Sequence, residues 1–213
     1  MKKGLIFVII IIILLGASYF LFFRKSEKGE APPEPMAELS NKKIAIIIAS
    51  KNFRDEEYFT PREIFDKTGA EVKVISDKLG IAMGADGGEV NIDIKLNDLK
   101  VSDFDAIVFI GGPGALTYLD NSDSYKIAQD AISQNKILAA ICISPAILAK
   151  AGILQGKKAT VWASALDRSA VKILEDNGAT FQDEDVVQDG KIITGNGPGA
   201  AKHFANKIIE SLK

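Results

Sequence analysis

The longest apolar run in the chain comes first. Residues 4–23 (GLIFVIIIIILLGASYFLFF) carry no charge. At about 1.5 Å per helical residue the run reaches roughly 30 Å, the thickness of a bilayer's hydrocarbon core. Lys2 and Lys3 precede it, and Arg24 and Lys25 follow it. The pattern predicts a transmembrane anchor over residues 1–25. A cleavable signal peptide is the competing reading, because Gly16, Ala17 and Ser18 are small enough for a cleavage site. The apolar run continues past them to Phe23, which favours the anchor. Positive charge flanks both ends, so orientation falls to the very short basic N-terminus, which predicts a domain outside the cytoplasm. Residues 26–41 hold three prolines and four glutamates with no apolar period. They predict a solvated linker.

From residue 42 the pattern changes. Residues 43–50 form a short β-branched apolar run of the kind buried on both faces of a sheet. Residues 55–68 read as a helix stopped by Gly69, and 71–76 as a second strand. Residues 81–94 alternate and contain glycines, which predicts a small hairpin or an excursion from the sheet. Residues 106–110 are a buried strand ending in Gly111-Gly112-Pro113-Gly114. A helix over 122–134, a strand over 137–141 and a short helix over 145–151 follow. A strand over 159–161, a helix over 169–177, a hairpin over 186–194 and a last amphipathic helix over 200–212 complete the domain. Strands alternating with helices predict an α/β domain over 42–213, with a parallel sheet covered by helices on both faces.

Composition narrows the function classes. Of 213 residues 47% are hydrophobic and 25% charged, and the formal net charge is −2. No long basic run is present, so nucleic-acid binding is not expected. One cysteine excludes an intramolecular disulfide, and one cysteine with one histidine leaves too few ligands for a common zinc site. No metal and no cofactor are expected.

That one cysteine stands at an informative place. Residues 138–141 are an apolar strand running straight into Cys142, and Pro145 suits the first turn of a helix. Small neighbours, Ala139, Ala140 and Ser144, permit a tight turn. The pattern is that of a nucleophile elbow, with the reactive atom at the carboxyl end of the sheet. A helix N-terminus aimed at the sulfur would lower its pKa from about 8.5 towards 7 or below. A buried structural cysteine is the competing reading.

Cys142 and Pro145, followed by Leu148, Ala149, Ala151, Gly152, Leu154, Gly156, Lys157, Lys158 and Ala159, closely resemble the ThiJ/PfpI family. Phe109 to Gly114, Asp189 to Thr194, and Gly197-Pro198 extend the match over about residues 42–213. The resemblance implies a flavodoxin-like fold related to class I glutamine amidotransferases. It implies a glutamate beside the cysteine, and the spacing of that glutamate from a helical proline selects Glu57, ahead of Pro61, over Asp55 and Glu56. Solvated acids at a helix N-terminus are the competing reading for all three. Beside the cysteine motif, the backbone N–H groups of Gly111, Gly112 and Ile143 become candidate oxyanion donors. Trp162 is either a wall of the pocket above Cys142 or ordinary core.

The chain also departs from the family. PfpI-type peptidases carry a histidine directly after the cysteine, where Ile143 stands. In the deglycase-like branch a histidine follows the next strand, near Trp162. His203, on the last helix, reads as a surface or packing residue. A Cys–His peptidase needs a base to activate the nucleophile and protonate the leaving amine, so that mechanism is disfavoured. The expected function is a glyoxalase- or deglycase-like hydrolase acting on small reactive carbonyls or their adducts. A redox or stress protein with an oxidisable cysteine is the second reading, and a peptidase or amidase acting on a peptide-like substrate the third. The resemblance also implies a homodimer.

Overall fold

The structure is a computed structural model that describes residues 37–213. The turn Ala37–Leu39 buries Leu39, whose N–H donates to Thr68 O at 3.0 Å. The packed unit therefore already includes Leu39. Strand β1 (Lys43–Ile47) is apolar and enters the core directly. Strand β2 (Lys51–Phe53) follows, then helix α1 (Asp55–Lys67), which carries three acids in its first turn. Gly69, at φ +78°, turns the chain after α1. Next come β3 (Glu71–Ser76), the hairpin of β4 (Gly80–Gly84) and β5 (Glu89–Ile92), and the short β6 (Ile94–Lys95).

Strand β7 (Ala106–Phe109) is fully buried and leads to the one-turn helix α2 (Ala115–Tyr118). Helix α3 (Ser122–Ser133) is capped by Asn121, whose side chain accepts from the N–H groups of Asp123 and Ser124. Strand β8 (Ile137–Ile141) is buried at every residue and precedes α4 (Pro145–Lys150). Then follow β9 (Lys158–Ala159), α5 (Ser169–Asp176), β10 (Thr180–Phe181), β11 (Val186–Asp189), β12 (Ile192–Gly195) and α6 (Ala201–Leu212).

Seven strands form one sheet in the order β11-β12-β8-β7-β1-β3-β6. Side chains on alternate faces build two apolar layers. Ile44 and Ile46 face α1 and α6 through Phe65, Phe204 and Ile208. Ala45 and Ile47 face α3, α4 and α5 through Ile127, Ile147 and Leu174. The chain steps outward from β1 to β3, then returns to the other side of β1 with β7. That reversal opens a crevice at the carboxyl ends of the strands.

Three expectations are corrected. The sheet is mixed, not parallel, because β11 runs antiparallel to β12 in the hairpin around Gly190. The expected strand at 159–161 is only β9, which pairs with β10 outside the main sheet. The transmembrane helix placed ahead of the domain, and with it the membrane location, is not upheld. Among the described residues no helix is long and apolar enough to cross a membrane, and residues 4–23 lie outside them. Of the linker assigned to residues 26–41, residues 26–36 lie outside them as well.

Candidate active site

Strand β8 carries small and β-branched side chains and fits between β7 and β12. At its end the chain must leave the sheet, and Cys142 does so with φ +62°. An L-residue other than glycine rarely adopts this left-handed conformation, so the turn stores strain that its surroundings must hold. Two hydrogen bonds hold it. The Cys142 N–H donates to Gly195 O at 2.9 Å, and the Trp162 N–H donates to Cys142 O at 2.8 Å. Ser144 is fully buried and donates its hydroxyl to Ile110 O at 2.8 Å, which ties the start of α4 to the end of β7.

Glu57 comes from the first turn of α1 and is 0% exposed. Its Oε2 accepts from the Gly111 N–H at 3.1 Å. Its Oε1 is buried without a partner of ordinary hydrogen-bond geometry. Burial drives the carboxyl up from 4.5 to about 7, against the opposing pull of the Cys142 thiol, the Gly111 N–H and the Arg54 charge. The thiol is pushed up to about 12, first by burial and then by the charge of Glu57 beside it. The N–H groups of Gly112 and Ile143 face the sulfur and pull the other way. A thiolate favoured by the helix N-terminus was the expectation. In the structure burial and a neighbouring anion outweigh that field.

The glycine pair makes this approach possible. A Cβ on Gly111 would lie 2.6 Å from the Cys142 Cβ and 2.8 Å from Glu57 Oε2. Gly112 has φ +105°, and a Cβ there would meet the Arg54 backbone N at 2.3 Å. Their tasks differ. Gly111 spends its N–H on the Glu57 carboxyl, so the donors left facing the sulfur are those of Gly112 and Ile143.

A cavity of about 290 Å³ opens over the thiol. Cys142, Gly112, Ile143, Trp162, Pro113, Leu116 and Pro198 line it, together with Arg54. Trp162 is therefore a cavity wall, and it also packs partly against the core. Asp55 and Glu56 are not brought to the thiol. Asp55 accepts from the N–H groups of Asp86 and Gly88 at 2.8 and 2.6 Å and shapes the β4–β5 loop, while Glu56 is exposed. His203 is exposed on α6 and does not line the cavity. Among the described residues no cluster of His, Cys, Asp and Glu could hold a metal ion.

Sequence reasoning did not find Arg54. Its signal was faint: one cation directly ahead of three acids at a helix start. The backbone explains its position, because the Arg54 N–H donates to Gly111 O at 3.1 Å and pins the residue beside the glycine pair.

The chain is thus a flavodoxin-like α/β protein with a thiol on a strained strand-to-helix turn, facing a buried carboxyl at the carboxyl edge of the sheet. The chain belongs to the DJ-1/PfpI family, whose sequence profile matches residues 42–211. It is 36% identical over 181 residues to an uncharacterised protein of Methanocaldococcus jannaschii, covering 84% of this chain and 87% of that one. It is 30% identical over 168 residues to a protein of Pyrococcus abyssi named a deglycase, covering 79% of this chain and 98% of that one. Among solved structures it is similar to the ThiJ/PfpI domain protein of Brachyspira murdochii, with a TM-score of 0.76 and 33% identity. That match covers 82% of this chain and 97% of the other. These names place hydrolase-type activity in the family.

Proposed function

We propose that this chain is a cysteine-dependent hydrolase of small reactive carbonyls or their adducts, with Cys142 as nucleophile and Glu57 as proton carrier. The observation that supports this most is the burial of Glu57 against the thiol, with a carboxyl pushed up to about 7. Such a group is present in both protonation states near neutral pH, which suits it to take and return one proton.

Methylglyoxal illustrates the chemistry. The sulfur adds to the aldehyde carbon, a C–S bond forms, and the thiol proton passes to the carbonyl oxygen. The Glu57 carboxylate then takes the proton from that same carbon, and the electron pair forms an enediol. Return of the proton to the neighbouring carbon, with the hydroxyl proton passing from the first oxygen to the second, gives a thioester, and water cleaves it to lactate and the free thiol. The aldehyde carbon is oxidised and the ketone carbon reduced, so no external oxidant is needed. In this reading the N–H groups of Gly112 and Ile143, which face the sulfur, steady the oxyanion.

A peptidase is less well supported, because the cavity presents no imidazole to protonate a leaving amine. A redox role draws on the same thiol, but the chain holds no second cysteine to resolve an oxidised sulfur. The test is lactate formation from methylglyoxal by wild type, Cys142→Ser and Glu57→Gln. Both variants are expected to lose at least about 100-fold in rate. A wild type no faster than Cys142→Ser sinks the proposal. A homodimer belongs to the same reading, and sedimentation at two concentrations tests it: monomer mass at both rejects it.

A further inference from the structure

Among the described residues, Arg54 is the only charged side chain lining the cavity over Cys142. The other walls are glycine, proline, leucine, isoleucine and tryptophan. Its side chain is held from outside the cavity: Nη1 donates to Asp86 Oδ2 at 3.2 Å, and the pair is 34% and 60% exposed. Asp86 is itself placed by its N–H, which donates to Asp55 at 2.8 Å. A guanidinium has five N–H donors in a planar fork. Only one of them has a partner here among the described residues. Arg54 lines a mostly apolar chamber whose floor is the thiol.

We infer that Arg54 binds an anionic group on the molecule that enters this cavity, so that the preferred substrates are carbonyl compounds bearing a carboxylate or phosphate. The carbonyl half of this statement rests on the function proposed above, and the anion half does not. A neutral substrate would leave Arg54 paired with Asp86 alone and give its other donors no charged partner. An anion would meet a prepositioned fork, and charge-assisted hydrogen bonds are about twice as strong as neutral ones. Asp86 orients the fork and competes mildly for it. A purely structural Arg54–Asp86 pair is the alternative, and it predicts no discrimination by charge.

Two measurements on the full chain separate these outcomes. The first is alkylation of Cys142 by iodoacetate and by iodoacetamide, which differ by one charge. Each rate is divided by that for a free small thiol, so any change in thiolate fraction cancels between the two reagents. Wild type is expected to favour iodoacetate by about tenfold, the worth of one charged hydrogen bond. Arg54→Gln should bring the ratio to that of the free thiol, Arg54→Lys should keep part of it, and Asp86→Asn should raise it. A wild-type ratio equal to the free thiol's, a ratio unmoved in Arg54→Gln, or no alkylation by either reagent overturns the inference.

The second measurement is turnover of 4,5-dioxopentanoate against 2-oxopentanal, which match in chain length and differ by the terminal carboxylate. Preference for the first in wild type, lost in Arg54→Gln, supports the named substrate class. Turnover of both without preference overturns that class. Turnover of neither, with the alkylation preference intact, rejects the carbonyl chemistry and leaves the anion site standing.

Discussion

Glu57 and Cys142 share the protons of one buried site, and their titrations belong to the pair. With both groups protonated the site is neutral. The first proton leaves at about 7, from a carboxyl raised by burial, and the thiol retains the second up to about 12. In the proposed chemistry the singly charged pair between those limits is the reactive species, whichever atom holds the remaining proton. Alkylation of Cys142 should therefore rise with pH, bend near 7 and then stay level. Glu57→Gln removes the group that ionises first, and leaves a thiol raised by burial alone. Its profile should show no bend near 7 and rise only beyond about 8.5. A Glu57→Gln profile that overlays the wild type excludes the carboxyl from the reaction. At this scale the sequence carried Cys142 and Glu57 through their resemblance to a family pattern. Arg54 and the separate task of Gly111 were illegible, because both depend on neighbours 54 or more residues away in the chain or on the path of a hydrogen bond.

The elements that meet at the site do so through backbone, and glycine is what lets them. Gly111 lies where the end of β7 passes the turn after β8. Gly111→Ala puts a methyl 2.6 Å from the Cys142 Cβ, with the Glu57 carboxyl on its other side. The expected cost is about 1–3 kcal/mol of stability from overpacking, read by denaturant unfolding. The displaced thiol should also lose its bend in alkylation near pH 7. Wild-type stability and an unchanged profile would mean that the two strands separate more easily than their packing implies. Most elements were legible from the chain because buried parallel strands are β-branched apolar runs and glycines end the helices. Strand β2 was not: Lys51-Asn52-Phe53 is largely polar, and Asn52 sits at φ +56°. The antiparallel β11 is half legible: Asp189-Gly190 marks the hairpin, but the local pattern does not say which of its strands joins the main sheet.

Across the whole molecule, Glu57 in its proposed role sets activity against stability. In the folded state it holds its proton to about 7, and in the unfolded chain only to about 4.5. Between those values the folded state binds more protons, so wild-type stability falls as pH rises through the window. The difference is on the order of 3 kcal/mol at pH 8. Glu57→Gln keeps an acceptor for Gly111 without the buried charge. It should be more stable than wild type at pH 8 by that order and nearly equal at pH 4.5, as measured by urea unfolding. A gap that does not change with pH would show that the carboxyl is not the source. The two hydrogen bonds that grip Cys142 come from β12 and from the segment after β9, and both must be docked to keep the turn left-handed. If either lets go, the backbone at Cys142 is free to relax and the sulfur to swing away from its carboxyl. The site thus behaves like a catch: thiol and carboxyl stay face to face only while β12 and the segment after β9 are both docked.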